Sequence, residues 1–404
     1  MISIHTPPQP TDLSDVRVAN RAVVLRHVRL HAPCSRADIA AHTGLNKATV
    51  SSLVTELIER RLLRETGLTE NRVGRPATML VLDGEPNAGL GLEIGADELV
   101  VVAVDFGGRP LLTWRRAFAA PAVAPEETVR ALAALARRAI TRVTGQGRTV
   151  LGLTVGVPGL VGTDGVVSLA PALGWRDVPL AADLRRALRE PSFPVGVDTD
   201  ANLAVLAEQR HGPYAGTADL VRLTGGVAVG AGVVSGGRLL RGDRGHAGEI
   251  GHVPVDPAGP VCACGRRGCL AALTGVDAVV RRALPDAEQD GPVTDYLPEL
   301  DRIQAAVNSG DDIVLAGLAE VGRHLGHGVS ILANLLDPQV IVVGGHFAAL
   351  APWLLPAARA ELAARALAPG GCRLEASTLG SAATALGGAT AALAPLEAGR
   401  LPAA

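Results

Sequence analysis

The chain has 404 residues, too long for one small domain and suited to two or three compact units. Apolar residues make up 48% and aromatics only 2%, so a core must be built from Ala, Val and Leu, as suits helices and buried parallel strands. The net charge of −2 excludes chain-wide attraction to nucleic acid, but residues 1–80 hold 11 basic against 7 acidic side chains, a basic head on an acidic body.

The amino terminus lacks the basic-then-apolar pattern of a secretory signal, and no apolar run reaches membrane-spanning length without charges or turn residues. A cytoplasmic protein is the expectation. Three of the five cysteines fall within eight residues, which reads as metal binding rather than a disulfide framework. Cys34 and Cys372 read as small apolar residues and receive no role.

Residues 1–15 are Pro-rich and polar, and predict a disordered start. A domain over 16–82 follows. Asn20–His31 carries apolar residues at helical spacing. Ser35-Arg36-Ala37-Asp38 resembles a capping box, with Asp in place of Glu or Gln, and opens a short helix that ends before Gly44. A third helix starts at Asn46 or Lys47 and runs to about Arg61, with Val50, Leu53, Val54, Leu57 and Ile58 as its buried stripe. Two short strands follow, at 62–65 and 78–82, with Thr66–Ala77 as a wing between them. The order specifies a winged helix-turn-helix.

From residue 86 strands alternate with helices. Residues 89–95 and 99–105 pair as a hairpin, 126–142 is a helix, and 150–157 is a buried strand ending at Pro158-Gly159. A strand at 195–197 leads into Asp198-Thr199-Asp200 and a helix from about Ala201. Residues 218–223 and 227–234 form a second hairpin. A long helix covers 313–336, a strand with a glycine turn covers 340–345, and a small-residue helix covers 381–394.

At this point the chain resembles the ROK family of repressors, open reading frames and sugar kinases. The residues that carry the likeness are Gly248-Glu249-Ile250-Gly251-His252, the run from Cys262 through Cys264 to Cys269-Leu270, Asp200-Ala201-Asn202-Leu203-Ala204, and Val343-Gly344-Gly345. The head makes it look like the repressor branch, such as regulators of xylose or N-acetylglucosamine use. The resemblance implies an α/β fold in which the winged helix-turn-helix precedes an actin-like, two-lobed sugar-kinase body. The implied domains are lobe 1 over 83–200, lobe 2 with a metal site over 201–380, and a C-terminal helix and tail over 381–404.

His252, Cys262, Cys264 and Cys269 are spaced H-x9-C-x-C-x4-C. Three thiolates and one imidazole satisfy tetrahedral Zn²⁺ with no open position, which makes a structural site. The resemblance implies the same four ligands; the alternative is buried thiols beside a surface histidine.

For the body, the resemblance implies a sugar site with Asp200 as the base for a sugar hydroxyl, and Glu249 and His252 as sugar contacts. Other family positions are altered. Glu93-Ile94-Gly95-Ala96-Asp97 lacks the second Gly and the Thr of the first phosphate motif, and Asp97 would repel phosphates. The second phosphate motif survives in part as Thr224-Gly225-Gly226. Thr199, Ala172 and Ala271 stand where the family has Asn, Asn and Glu. Each lost contact to a buried hydroxyl costs about 1 kcal/mol or more. A modified sugar, a different ligand and no ligand stay open, and the expectation is lost kinase activity. Asp200 also reads as a capping aspartate at a helix start.

For the head, Lys47 is the sole lysine of the chain and opens the recognition helix. Asn46, Lys47, Thr49 and Ser51 would face the major groove of double-stranded DNA, Ala48 a thymine methyl, Arg72 a phosphate, and Arg75 of Gly74-Arg75-Pro76 a narrow minor groove. The alternative is a solvated face of a small bundle. A homodimer or homotetramer reading a palindromic operator is implied, with the linker at 83–87 relaying lobe movement. The competing readings are an active ATP-dependent sugar kinase with an accessory head, and a ligand-blind DNA-binding protein regulated by a partner on the zinc lobe.

Overall fold

The computed structural model describes residues 13–68, 78–95, 97–226, 228–285 and 296–401. The head comprises α1 (Leu13–His31), β1 (Cys34–Ser35), α2 (Arg36–Thr43), α3 (Lys47–Glu59), β2 (Leu63–Leu68) and β3 (Thr78–Leu82). The first half of the body holds β4 (Asn87–Ile94), β5 (Glu98–Asp105), β6 (Pro110–Ala117), α4 (Pro125–Thr144), β7 (Thr149–Val157), β8 (Leu160–Val161), β9 (Val167–Ala170), β10 (Trp175–Val178), α5 (Leu180–Ala187), β11 (Val195–Thr199) and α6 (Asp200–His211). The second half holds β12 (Leu220–Gly225), β13 (Val229–Ser235), β14 (Arg238–Leu239), α7 (Leu270–Thr274), α8 (Val276–Ala283), α9 (Leu297–Asn308), α10 (Asp312–Leu336), β15 (Val340–Gly345), α11 (His346–Ala349), α12 (Ala351–Arg365), β16 (Arg373–Ala376) and α13 (Ala383–Glu397).

The head follows from local chemistry. Ser35 Oγ accepts from the Asp38 N–H at 3.2 Å while Asp38 accepts from the Ser35 N–H at 3.0 Å, a complete capping box for α2. Gly44, at φ 73°, stops that helix in a conformation other residues resist. Val50, Leu53, Val54 and Leu57 are buried along α3, while Ile58 is half-buried at the edge. Two features depart from the sequence reading. α1 begins at Leu13, seven residues ahead of the helix expected from Asn20 and inside the stretch expected to be disordered, and Arg17 and Arg21 of this polar half pair with Glu56 of α3. The two-residue β1 joins the expected pair to give the sheet order β1-β3-β2.

The body repeats one plan twice. Sheet order β6-β5-β4-β7-β11 sets an antiparallel hairpin beside parallel strands, and β14-β13-β12-β15-β16 does the same. Helices α4 and α5 cover one face of the first sheet with an Ala, Val and Leu core; α7, α8, α10 and α12 cover the second. Helices α6 and α13 run between the sheets and against each other. Glycines permit that close approach: a Cβ on Gly91 of β4 would lie 1.8 Å from the Ala385 carbonyl of α13. One on Gly387 of α13 would lie 1.7 Å from the Leu203 carbonyl of α6.

Head and body share a core, since Phe106 after β5 and Leu396 of α13 are buried with Val24, Leu25 and Leu57 of the head. Glu397 at the end of α13 pairs with Arg29 of α1 at 2.5 Å and with Arg210 of α6 at 3.4 Å. The connection at 83–87 is pinned: the Asp83 N–H donates to Leu62, and Arg148 donates to the carbonyls of Gly84 and Glu85 at 2.9 and 2.7 Å. Among the described residues no helix is long and apolar enough to cross a membrane.

Candidate ligand cleft, metal centre and nucleic-acid interface

The carboxyl ends of the parallel strands in both sheets open onto a common cleft, where α/β folds place their ligands. β11 ends at Thr199, whose Oγ1 accepts from the Asn202 N–H at 3.1 Å and caps α6. The capping role considered for Asp200 therefore belongs to Thr199, a correction that follows from chain direction. Asp200 occupies the first helical position and lines the cavity wall. Burial pushes its carboxyl up to about 6, although its Oδ1 accepts from the Ala201 N–H at 2.7 Å.

A cavity of about 480 Å³ lies beside Asp200, with Glu249 and His252 in its wall. Glu249 is fixed by its neighbour Gly248, where a Cβ would lie 1.8 Å from the Ala231 carbonyl. Desolvation, and then the charge of Asp200, pushes Glu249 up to about 7. Thr199, Ala172 and Ala271, the three shortened positions, all line this cavity. So does Arg281 of α8, which sequence reasoning did not single out.

On the other side of Asp200 lies a second cavity of about 250 Å³. Its charged lining is Glu93, Asp97, Glu98 and Asp200 against Arg222 alone. Desolvation, followed by Asp200 and Glu98, pushes Glu93 up to about 8, and its Oε2 is buried without a hydrogen-bond partner among the described residues. Arg222 is buried, pairs with Glu208 at 3.4 Å, and donates to Thr224 Oγ1 at 2.7 Å. Gly344 makes room for the guanidinium, since a Cβ there would lie 2.0 Å from Arg222 Nη2. The visible signal was a lone arginine within the apolar strand Leu220-Val221-Arg222-Leu223. Glu98 pairs with Arg115 at 2.6 Å, and Glu93, raised to about 8, is protonated near neutral pH; with Arg222 already paired, the described lining offers a polyphosphate no unpaired cation.

The lobe 2 loop gathers His252, Cys262, Cys264 and Cys269 so that one ligating atom from each lies within 4.8 Å of the others. His252 Nδ1 stands 3.7 Å from Cys262 Sγ, and Cys264 Sγ stands 3.7 Å from Cys269 Sγ. Tetrahedral Zn²⁺ with bonds of about 2.3 Å to sulfur sets neighbouring sulfurs about 3.8 Å apart. The donor set and spacing fit such an ion. Gly268 at φ 65° lets the loop fold back, where a Cβ would meet the Asp256 carbonyl. His252 belongs to this cluster and to the cavity wall at once.

On the head, α3 exposes Lys47, Ala48, Ser51, Ser52 and Thr55 on one face. Asn46 is the N-cap, its Oδ1 accepting from the Thr49 N–H at 2.8 Å, so only its amide NH₂ is left for other contacts. Thr49 is half-buried beside the face rather than on it. Arg36 of α2, unnoticed in the sequence, reaches Ser51 Oγ on this surface and pairs with Glu65, each at 3.5 Å. Arg72 and Arg75 lie outside the described residues.

Residues 89–395 match the ROK family, and residues 14–71 match the MarR family. The chain belongs to the ROK family. It is 29% identical to the xylose repressor of Bacillus subtilis over 93% of this chain and 95% of that one. It is also 29% identical to the DNA-binding transcriptional dual regulator NagC of Escherichia coli, over 87% and 86%. Among solved structures, a ROK family transcriptional regulator homologous to the Escherichia coli MLC protein superposes with a TM-score of 0.79 at 24% identity, covering 96% of this chain and 98% of that one. A ROK family glucokinase from Streptomyces griseus, solved with glucose and AMPPNP, gives a TM-score of 0.63 at 28% identity, covering 75% and 98%. The regulator likeness spans head and body; the kinase likeness spans three quarters of this chain. ROK membership accounts for the actin-like body, and the MarR match for the winged head.

Proposed function

We propose that this chain is a sugar-responsive transcriptional repressor acting in the cytoplasm, with the head as DNA reader and the cleft beside Asp200 as sensor. The observation that carries the reading is the acidic second cavity. The body keeps a sugar-sized cavity with Asp200, Glu249 and His252, yet the cavity on the other side of Asp200 has Glu93, Asp97, Glu98 and Asp200 in its described wall and no cation but the paired Arg222. A body that binds a sugar without phosphorylating it is a sensor, and a helix-turn-helix head gives it an output.

In this reading Asn46, Lys47, Ser51 and Arg36 contact operator DNA, with Thr49 supporting the helix start and Arg72 and Arg75 on the wing. Zn²⁺ is held by His252, Cys262, Cys264 and Cys269. It would supply no chemistry to the sugar; the closed tetrahedral set ties the Glu249–His252 turn to the cysteine loop. A homodimer reads two half-sites. Sequencing the sheared genomic DNA that the full-length protein retains at physiological salt tests the reading. Recovery of one palindromic site supports it; retention of sequence-independent, salt-sensitive DNA alone opposes it.

The second reading, an ATP-dependent sugar kinase, is favoured by Asp200 itself, placed at the cavity wall with a carboxyl near the range useful to a general base. ATP turnover with a panel of sugars, abolished in Asp200→Asn, would establish it.

A further inference from the structure

A third cavity, about 860 Å³, lies at the far ends of α6 and α13, where the body meets α1 of the head. Its charged lining consists of Arg26, Arg29, Arg210, His211 and Glu397. Three guanidiniums thus face one carboxylate, and a single oxygen of that carboxylate serves two of them: Glu397 Oε1 meets Arg29 at 2.5 Å and Arg210 at 3.4 Å. Arg29 Nε is buried with no hydrogen-bond partner among the described residues. His211 adds no charge, because desolvation, then Arg210 and Arg29, hold it down to about 4 while its Nε2 meets Thr390 Oγ1 at 2.9 Å. Desolvation, with Arg29 adding to it against the opposing pull of Glu397, lowers Arg210 to about 10.

We propose that this seam is a binding site for a small phosphorylated anion, one presenting a phosphate or phosphomonoester group to Arg26, Arg29 and Arg210. Guanidiniums are planar forks of donors that match phosphate oxygens, and the cavity holds more of these donors than Glu397 can satisfy. The site is separate from the sugar cleft: α6, with 12 residues and about 18 Å of length, carries Asp200 at one end and Arg210 at the other. Arg26 and Arg29 belong to the head while Arg210 belongs to the body, so an anion held by all three ties the head to α6.

The test is isothermal titration of the full-length protein, free of DNA and at constant ionic strength, with inorganic phosphate, glucose 6-phosphate and glucose. Saturable binding of a phosphate-bearing probe is expected. Its affinity should fall at least tenfold in Arg26→Ser and in Arg210→Gln and stay unchanged in Arg281→Ser, which alters the sugar cleft. Arg26 is exposed, so its replacement leaves the core of the head intact even where Arg210→Gln disturbs folding. Equal affinity for the two phosphates assigns the site to the free anion, and tighter glucose 6-phosphate assigns it to an ester. Absence of saturable binding, unchanged affinity in Arg26→Ser, or loss in Arg281→Ser would overturn the proposal.

Discussion

Glu93 and Asp200 share a buried wall with only Arg222 to offset them, and that cation is already paired with Glu208. Burial raises both carboxyls, so the folded chain holds protons that the unfolded chain releases, and stability falls as pH rises from the ordinary carboxylate range through about 8. Glu93→Gln removes the charge without changing the shape. Its expected effect is a stabilisation on the order of a few kcal/mol at pH 8 that shrinks toward pH 5, read from thermal melts across that range. A destabilisation at pH 8 would mean that the Glu93 carboxylate is satisfied there as an anion. The metal cluster gives a second test at this scale. Chelation or Cys264→Ser should lower the melting midpoint and release about one Zn²⁺ per chain, measured by a colorimetric metal assay. The zinc set could be read from sequence because all four residues fall within 18 positions. Arg222 showed only as a lone arginine in an apolar strand, and Arg281 not at all, because the cavities they line are built from segments far apart in the chain; nothing in the sequence sets Arg36 apart from other arginines.

At the scale of elements, capping and small-residue packing position everything the site uses. Helix starts were legible where a polar side chain caps within three residues, as at Ser35 and Asn46. The start of α1 was not, since the salt links that hold its first turns reach Glu56, 39 positions from Arg17. The two-residue β1 carries too little pattern to detect. The small-residue helix near 381–394 was visible as a helix, while its place between sheet and α6 depends on glycines 300 residues away in sequence, such as Gly89 and Gly91. α3 yields the next prediction. Lys47→Ala should weaken DNA binding across all sequences and reduce the slope of log affinity against log salt by about one, since it removes one phosphate contact. Asn46→Ala should instead cost roughly 1 kcal/mol of stability through the lost cap. Anisotropy titrations at several salt concentrations and denaturant melts separate the two effects. An unchanged salt slope for Lys47→Ala would move the sole lysine off the interface.

At the scale of the whole molecule, α6 and α13 run from the cleft to the head. Thr384 of α13 donates to the Asp200 carbonyl at the cleft, and Glu397 of the same helix holds Arg29 of the head. A sugar that changes the cleft acts on one end of both helices, and the head rests on the other. The connection at 83–87 is tied to the body by Arg148, which donates to the carbonyls of Gly84 and Glu85. The alternation of strands and helices in the body was legible in the sequence, and the two-lobed plan was implied by the ROK likeness alone. The shared core of head and body was not, because Phe106 and Leu396 look like ordinary apolar residues in the sequence. The most direct test of a sugar-responsive repressor is the affinity for its recovered operator with and without each sugar of a panel that includes xylose and N-acetylglucosamine. One sugar is expected to weaken binding at least fivefold, a coupling of about 1 kcal/mol, and Glu249→Gln to abolish the response while sparing DNA affinity. Equal affinity with and without a sugar shown to occupy the cleft would contradict it.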